Sequence, residues 1–372
     1  KNWTICHRIK FDSITFGKSI GKGCFGEVYE ITMTNEARQR KIFCRDGVLP
    51  TARSPEQQFV AKRLTNIENH VSIRREITAM TLLCGSPNII RLVGVAYCNN
   101  AFSEAYFLIM ERAEDTLEKT IPRPFNDRLT VALHIARGIN ALHSFGIMHR
   151  DIKPANVLKL KSDEYVVADL GFAKSTQSSF SSTQKGTLRF MAPEIRDSDD
   201  PATLQSDIYS FGLVLYTLFT GKTWKTHIEE EGSREKAIDM GKIEKFCRGH
   251  NVPSKTIGKL QKLVNGCLKT SLTERYQADS CFNKLVKINQ PLETVVDQCP
   301  GSSSDPARSF DVVWKDFFTP FQQTITSTKV EDRFLQDLED FGAFERMTAA
   351  QVTSSTLNSV QKVVQKFNIR GA

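Results

Sequence analysis

The chain has 372 residues, of which 40% are hydrophobic and 25% are charged, close to the composition of an average soluble protein. This composition excludes a wholly disordered chain and a collagen-like repeat, and the length suggests two or three domains. Fifty Lys and Arg residues against 42 Asp and Glu give a formal net charge of +8, which is compatible with nucleic acid, membrane or phosphate binding but also with a solvated surface.

The excess positive charge is confined to the first part of the chain. Residues 291–372 contain eleven acidic and eight basic side chains, whereas residues 1–290 contain 31 acidic and 42 basic ones. Nine Cys are scattered without a CxxC pair, which argues against a disulfide framework and for a reducing compartment. No segment approaches 18 consecutive apolar residues, so we expect no membrane span. We expect a cytoplasmic location, or an organellar or nuclear one if targeting signals lie outside this sequence.

The first predicted element is a strand at 14–20 that leads into a glycine-rich segment. Gly21, Gly23 and Gly26 precede a second strand, predicted at 27–33. Glycines allow a turn to close over a ligand and to direct backbone N–H groups at phosphate oxygens. A tight hairpin is the alternative, because the pattern alone has low specificity. The segment precedes a strand rather than a helix, which disfavours a dinucleotide-binding fold.

A lysine within an apolar strand is the next candidate residue. Residues 34–58 are polar and basic with Pro and Gly among them, which predicts a long loop or insertion. Residues 59–64 form a short predicted strand that contains Lys62. On an edge strand this side chain would point to water, whereas in the interior it would need a carboxylate partner. The natural partner is Glu76, in the helix predicted at 66–84.

Further strands are followed by helices. Apolar runs at 87–95 and 105–110 predict two more strands, so the N-terminal part contains five strands and one main helix. After Glu111 the pattern becomes helical, with helices predicted at 129–145 and 206–220. The second of these is almost wholly apolar and is therefore expected to be buried.

One polar loop carries the strongest chemical signal. Asp151, Lys153 and Asn156 lie within six residues, and Asp169 follows eighteen residues after Asp151. Such a set suits phosphoryl transfer from a metal-bound nucleotide: two oxygen ligands hold Mg²⁺, one carboxylate orients the attacking hydroxyl and one cation faces the transferred phosphoryl group. A solvated polar turn, the alternative, does not account for the order and spacing of the whole set.

A linker and an amphipathic tail are predicted at the C-terminal end. Residues 298–306 are rich in Ser, Pro and Gly, and beyond them three sets of apolar residues recur at helical spacing. Two interpretations of these stripes remain open. They either pack against the preceding domain or form a docking or self-association element that regulates it.

The order of these motifs resembles that of the eukaryotic-type protein kinase catalytic domain. The resemblance covers about residues 12 to 290. It is carried by Gly21, Gly23, Gly26, Lys62, Glu76, His149-Arg150-Asp151, Asn156, Asp169-Leu170-Gly171, Ala192-Pro193-Glu194, Asp207 and Arg275. The kinase pattern usually has Phe where Leu170 stands, but no catalytic group is missing.

The resemblance implies an α+β, two-lobe protein kinase fold. Its small lobe, with five strands and one main helix, would span residues 12–110. A hinge at 111–115 would lead to a large, mainly helical lobe at 116–290. A linker at 291–309 and a helical extension at 310–372 would complete the chain.

The resemblance also implies roles for individual residues. Asp151 would orient the substrate hydroxyl and accept its proton, and Lys153 would steady the γ-phosphate. Lys62, held by Glu76, would contact the α- and β-phosphates of ATP. Mg²⁺, for which Mn²⁺ is an alternative, would be bound by Asn156 and Asp169. The expected nucleotide-binding residues are Ile20, Gly21, Gly23, Gly26, Val28, Ala61, Lys62, Met110, Glu111, Ala113 and Leu158.

The implied function is a protein serine/threonine kinase. Lys153 and the pair Gly186-Thr187 resemble serine/threonine rather than tyrosine kinases. The expected partners are ATP and a protein substrate, without nucleic acid, and the C-terminal extension is a candidate site for a regulatory partner or self-association. A phosphate on the hydroxyl-rich segment from Ser175 to Thr183 would regulate the enzyme by pairing with Arg150. The alternatives are a pseudokinase scaffold that signals through protein interactions and a small-molecule kinase.

Overall fold

The computed structural model describes residues 9–289, except residues 24–25, 45–46, 53, 65–75, 78, 82, 101–102, 173–186, 198–201 and 234–236. The hydroxyl-rich segment, the predicted linker and the C-terminal extension therefore lie outside the described residues. The described chain divides into two units. The small unit contains residues 9–85 and 90–112, and the large unit contains residues 86–89 and 113–289.

The small unit is built on a five-stranded antiparallel sheet, as the sequence predicted. Its elements in chain order are β1 (Ile14–Gly23), β2 (Gly26–Met33), α1 (Asn35–Gln39), β3 (Lys41–Cys44), β4 (Gly47–Pro50), β5 (Phe59–Leu64), β6 (Leu92–Asn100) and β7 (Ser103–Glu111). The sheet has the spatial order β1-β2-β5-β7-β6. Its core contains Phe59, Ala61 and Ile109, all of which are fully buried. Because β5 has a strand on each side, Lys62 lies in the interior of the sheet.

The segment at 34–58 has more secondary structure than the predicted loop. Thr34 caps helix α1, since its Oγ1 accepts a hydrogen bond from the amide of Ala37 (3.4 Å). Strands β3 and β4 then form a separate two-stranded antiparallel sheet. The polar composition of the whole segment conceals two short apolar runs that are able to pair, which is why periodicity predicted only a loop.

The strand predicted at 87–95 begins later than expected. Strand β6 starts at Leu92, and Asn88 adopts a left-handed conformation with φ of 57°. The side chain of Asn88 donates to the carbonyl oxygen of Tyr165 (2.9 Å), and its own carbonyl accepts from the amide of Val167 (2.8 Å). These bonds hold residues 86–89 in the large unit, so the apolar run is divided between two different packing environments.

The large unit is mainly helical. Its elements are β8 (Asp115–Thr116), α2 (Phe125–Ser144), β9 (Val157–Lys159), β10 (Tyr165–Val167), α3 (Pro193–Asp197), α4 (Leu204–Thr220), α5 (Trp224–Glu231), α6 (Met240–Gly249), α7 (Ser254–Cys267) and α8 (Ala278–Asn289). The short strands form one sheet in the order β10-β9-β8. Together the two units confirm the predicted α+β kinase-like architecture.

Helix α4 is the buried helix predicted from the apolar run. It begins two residues before the predicted start because Thr203 and Ser206 form a capping box, and it ends at Gly221, which has φ of 75°. In the described part of the chain, none of the helices is both long enough and apolar enough to cross a membrane.

Helix α2 packs closely against the segment around Asn88. A Cβ atom added at Gly138 would lie 2.6 Å from the carbonyl oxygen of Asn88 and 3.0 Å from Cγ2 of Val167. Because one of these atoms belongs to the backbone, the clash cannot be relieved by a side-chain rotation. Glycine at this position therefore sets the distance between α2 and residues 86–89.

We expect Gly138→Ala to lower the free energy of unfolding by about 1–3 kcal/mol, the usual cost of overpacking a core. Gly258→Ala in helix α7 is the matched control, because among the described residues its new Cβ has no contact within 4 Å apart from the adjoining backbone of its own helix. It should raise stability by about 0.5–1 kcal/mol. Urea unfolding of both variants tests the difference, and equal stabilities would contradict the packing argument.

Candidate functional site

In the small unit, a buried ion pair joins strand β5 to a helical segment. Lys62 is opposite Val28 of β2 and Leu108 of β7. Its Nζ lies 2.7 Å from Oε1 of Glu76, and the two side chains are only 9% and 5% exposed. A buried lysine requires such a partner, because removing one charge of the pair leaves the other uncompensated. The structure therefore supports the buried, paired interpretation of Lys62 over the edge-strand one.

The other predicted nucleotide-binding residues of the small unit lie on the same strands. Ala61 is fully buried, Met110 is partly exposed opposite Val60, and Gly21 is opposite Val28. Ile20 is 43% exposed, the one large hydrophobic side chain in the described part that is so accessible. An exposed apolar side chain beside the glycine segment is consistent with ligand contact.

The glycine segment includes one position where glycine is required. Gly26 has φ of 141°, and a Cβ atom there would overlap the carbonyl oxygen of Arg63. It pairs with Gly23 at the end of the β1–β2 hairpin. This pairing supports the hairpin alternative raised by the sequence. That the glycines cover phosphates stays a prediction.

In the large unit, Asp151 lies at the centre of a small polar cluster. Its Oδ2 is 2.7 Å from Nζ of Lys153 and accepts a hydrogen bond from Nδ2 of Asn156 (2.8 Å). Burial raises the pKa of Asp151 above its ordinary value, and the charge and hydrogen bond of Lys153 oppose this rise without cancelling it. The cluster therefore presents a carboxylate that is more basic than a free aspartate.

Asp207 in helix α4 holds the loop that carries this cluster. Its carboxylate accepts hydrogen bonds from the amides of His149 (2.8 Å) and Arg150 (2.7 Å), and Nε2 of His143 lies 3.0 Å from Oδ2. Burial alone would raise the pKa of Asp207, but the hydrogen bond and charge of His143, with further help from His149, outweigh it and lower the pKa. A buried carboxylate that stays ionised thus anchors the loop.

Asn156 and Asp169 are brought together through the backbone. The amide of Ala168 donates to the carbonyl oxygen of Asn156 (2.9 Å), and the carbonyl of Ala168 lies 2.9 Å from Nε2 of His149. Asp169 then adopts φ of 67°, a conformation that is rare for residues other than glycine and concentrated at functional sites.

Asn156 and Asp169 carry side-chain oxygen atoms of the kind that bind divalent cations. Nδ2 of Asn156 is used by the carbonyl and carboxylate of Asp151, which leaves Oδ1 as the atom able to bind a cation. An amide oxygen and a carboxylate are ligands that Mg²⁺ accepts, with substrate phosphates and water completing its shell. Among the described residues no cluster of three or more His, Cys, Asp or Glu side chains forms a metal site.

The remaining predicted residues also have defined positions. Leu158 is partly exposed in β9 opposite Val166, and Ala113 is partly buried. Glu194 pairs with Arg275, whose Nη1 lies 2.8 Å from its Oε1. Sequence reasoning missed His143, because nothing in its helical context distinguishes it until Asp207 is brought beside it.

Comparison with known proteins agrees with this geometry. The family model described as protein kinase domain matches residues 14–286. A serine/threonine-protein kinase/receptor of Acanthamoeba polyphaga mimivirus is 30% identical over 284 residues, which cover 75% of this chain and 16% of that protein. SIS8 of Arabidopsis thaliana, named a serine/threonine-protein kinase, is 28% identical over 311 residues, or 80% of this chain and 27% of that protein.

A relative with broader specificity is also found. The dual specificity protein kinase shkE of Dictyostelium discoideum is 31% identical over 224 residues, which cover 57% of this chain and 28% of that protein. The chain thus spans less than a third of the length of these three relatives. The family match nevertheless covers most of this chain, which confirms the sequence-based assignment: the chain belongs to the protein kinase domain family.

Proposed function

We propose that this chain is a protein serine/threonine kinase domain that transfers the γ-phosphoryl group of ATP to protein hydroxyls. One observation carries the proposal. The buried carboxylate of Asp151 is held by Lys153 and Asn156 on a loop that Asp207 anchors. A carboxylate that is buried, oriented and more basic than usual is suited to accept a proton from an attacking hydroxyl.

The proposed reaction is an in-line displacement at phosphorus. The oxygen of the substrate hydroxyl bonds to the γ-phosphorus of ATP, and the bond from this phosphorus to the bridging oxygen breaks, which releases ADP. The hydroxyl proton passes to Asp151, and Lys153 offsets charge on the transferred group. Mg²⁺, held by Asn156 and Asp169, would supply further neutralisation of phosphate charge. Positioning and electrostatics account for most of the catalysis.

Most of the proposed nucleotide-binding residues belong to the small unit. Lys62, oriented by Glu76 at 2.7 Å, would bind the α- and β-phosphates, and backbone groups of the glycine segment would cover them. Val28 and Ala61 would contact the adenine ring. The backbone of Glu111 and of the following residues to Ala113 would contact its edge, and Ile20, Met110 and Leu158 would complete the apolar contacts.

Serine and threonine are the proposed acceptors. Lys153 and the names of two of the relatives support this choice, while the dual specificity relative makes tyrosine the residue to test against. A pseudokinase scaffold is disfavoured because Lys62, Asp151, Asn156 and Asp169 are all present. Phosphorylation between residues 175 and 183, a cytoplasmic location and a regulatory role for residues 310–372 remain predictions.

We expect Asp151→Asn to lower kcat by about 10²–10⁴-fold, the usual contribution of a positioned acid–base group. ATP should still bind, because the small unit is unchanged. The control is Asp163→Asn, which removes a carboxylate that is 82% exposed and paired with Lys159 at 2.7 Å. The assay measures phosphate transfer from ATP to serine, threonine and tyrosine peptides. Equal rates for wild type and Asp151→Asn would contradict the proposed role.

Lys153→Met should move the acidic limb of the pH profile of kcat to higher pH. Removing Lys153 removes the strongest influence that lowers the pKa of Asp151, so burial raises this pKa further. At a given pH fewer molecules then carry the ionised base. Lys161→Met, on an exposed lysine two residues beyond β9, should leave the profile in place. An acidic limb that is unchanged or lies at lower pH in Lys153→Met would refute the proposal that Lys153 lowers the pKa of Asp151.

A further inference from the structure

A buried polar network surrounds the C-terminal end of strand β7. Arg91 and Glu111 are only 2% and 5% exposed, and Nε of Arg91 lies 3.8 Å from Oε2 of Glu111. The amide of Arg91 donates to Oε1 of Glu111 (3.2 Å), and the amide of Glu111 donates to the carbonyl of Arg91 (3.4 Å). The two residues are therefore joined through both backbone and side chain.

The insertion at 34–58 completes this network. Nη2 of Arg91 donates to the carbonyl oxygen of Thr51 (3.0 Å) and to Oε1 of Gln57 (3.3 Å). Nε2 of Gln57 in turn donates to Oε2 of Glu111 (3.5 Å). One amide side chain of the insertion thus contacts both members of the buried ion pair.

A second arginine holds the same stretch of the insertion in place. Nη2 of Arg38 donates to the carbonyl oxygens of Pro55 (2.6 Å) and Gln57 (3.1 Å), and its guanidinium lies 5.2 Å from the ring centroid of Phe59. Phe59 is the first residue of β5 and is opposite Glu111 in β7. Helix α1, which carries Arg38, is therefore tied to the strands of the main sheet.

The insertion also uses backbone groups at the end of β7. The amide of Arg112 donates to the carbonyl of Gln58 (3.0 Å), and Nη1 of Arg112 donates to Oε1 of Gln58 (2.8 Å). The amides of both Glu111 and Arg112 are consequently engaged within the small unit. The carbonyl of Glu111 lies between these two amides, so their hydrogen bonds to Arg91 and Gln58 orient it.

We propose that the insertion is a built-in support for the adenine-contacting segment, with Gln57 and Arg91 as positioning residues. They fix the backbone of Glu111 and so determine how well its carbonyl meets the adenine edge. The inference rests on the proposed function in one respect, namely that Glu111 contacts the base of ATP. It gives the basic insertion a role in nucleotide affinity rather than in phosphate binding.

The test uses Gln57→Met, which keeps the side-chain length and removes both polar atoms. The affinity for ATP and for adenosine is measured by calorimetry, together with KM for ATP and kcat. We expect Kd for both ligands to rise about three- to tenfold, as for the loss of one or two net hydrogen bonds, with kcat at saturating ATP changed less than twofold. The loss of affinity must be equal for ATP and adenosine. Adenosine has no phosphates, so a loss shared by both ligands is a loss of contact with the adenosine part.

Glu36→Gln is the matched control within the insertion. It removes a carboxylate that is 86% exposed and paired at 3.7 Å with Arg40, and should leave all these values unchanged. Arg38→Lys is a second test variant, since lysine keeps the charge but cannot span the same carbonyl oxygens. It should weaken adenosine binding in the same direction.

Several outcomes would overturn the inference. The first is unchanged adenosine affinity in both Gln57→Met and Arg38→Lys. The second is a loss of affinity for ATP without a loss of affinity for adenosine. The third is a loss of adenosine affinity in Glu36→Gln as large as that in the test variants. Wild-type protein that binds ATP but transfers no phosphate would overturn the proposed activity, while the adenosine affinities would still decide the role of the insertion. Wild-type protein that binds neither ligand would overturn both.

Discussion

The structure of the loop that carries Asp151 depends on one buried carboxylate, that of Asp207. Two consecutive backbone amides, those of His149 and Arg150, donate to it. Such an arrangement requires the chain to turn sharply, and Arg150 accordingly has φ of 69°. The cost of this conformation is offset by charge-assisted hydrogen bonds to the buried carboxylate. Asp151 is the next residue, so its position depends on helix α4 through Asp207. Lys153 and Asn156 then contact its carboxylate.

Both units bury charge in this way. Lys62 with Glu76 and Arg91 with Glu111 lie in the small unit, and Glu194 with Arg275 in the large unit. Burial alone would raise the pKa of Glu194, but Arg275 and neighbouring donors outweigh it and the pKa is lowered. Buried pairs of this kind add little net stability compared with apolar residues of the same size, yet losing one partner is severe. These pairs hold the backbone segments that carry them in one position. The segments include those to which we assign roles in nucleotide binding.

Much of the fold was predictable, because hydrophobic patterning and burial agree over long elements. The strand that contains Lys62 and the apolar helix around Asp207 have the predicted type and nearly the predicted bounds. The errors occurred where local pattern and tertiary contact disagree. The apolar run starting at Pro87 is interrupted by Asn88, whose hydrogen bonds to Tyr165 and Val167 come from residues more than seventy positions away. The hairpin of β3 and β4 was hidden in a segment whose overall composition is polar.

The sequence by itself determined the family, the order of the main strands and helices, and the identity of the candidate catalytic groups. Motif spacing carries this information because each motif is a local stretch with its own conformational requirements. Only the tertiary structure decided which charges are buried together. It showed that Lys62 is buried with its predicted partner Glu76, placed His143 beside Asp207, and joined the insertion to Glu111 through Gln57 and Arg91. Such pairings depend on the register of strands and the packing of helices, and a one-residue change in either would separate side chains that lie within hydrogen-bonding distance.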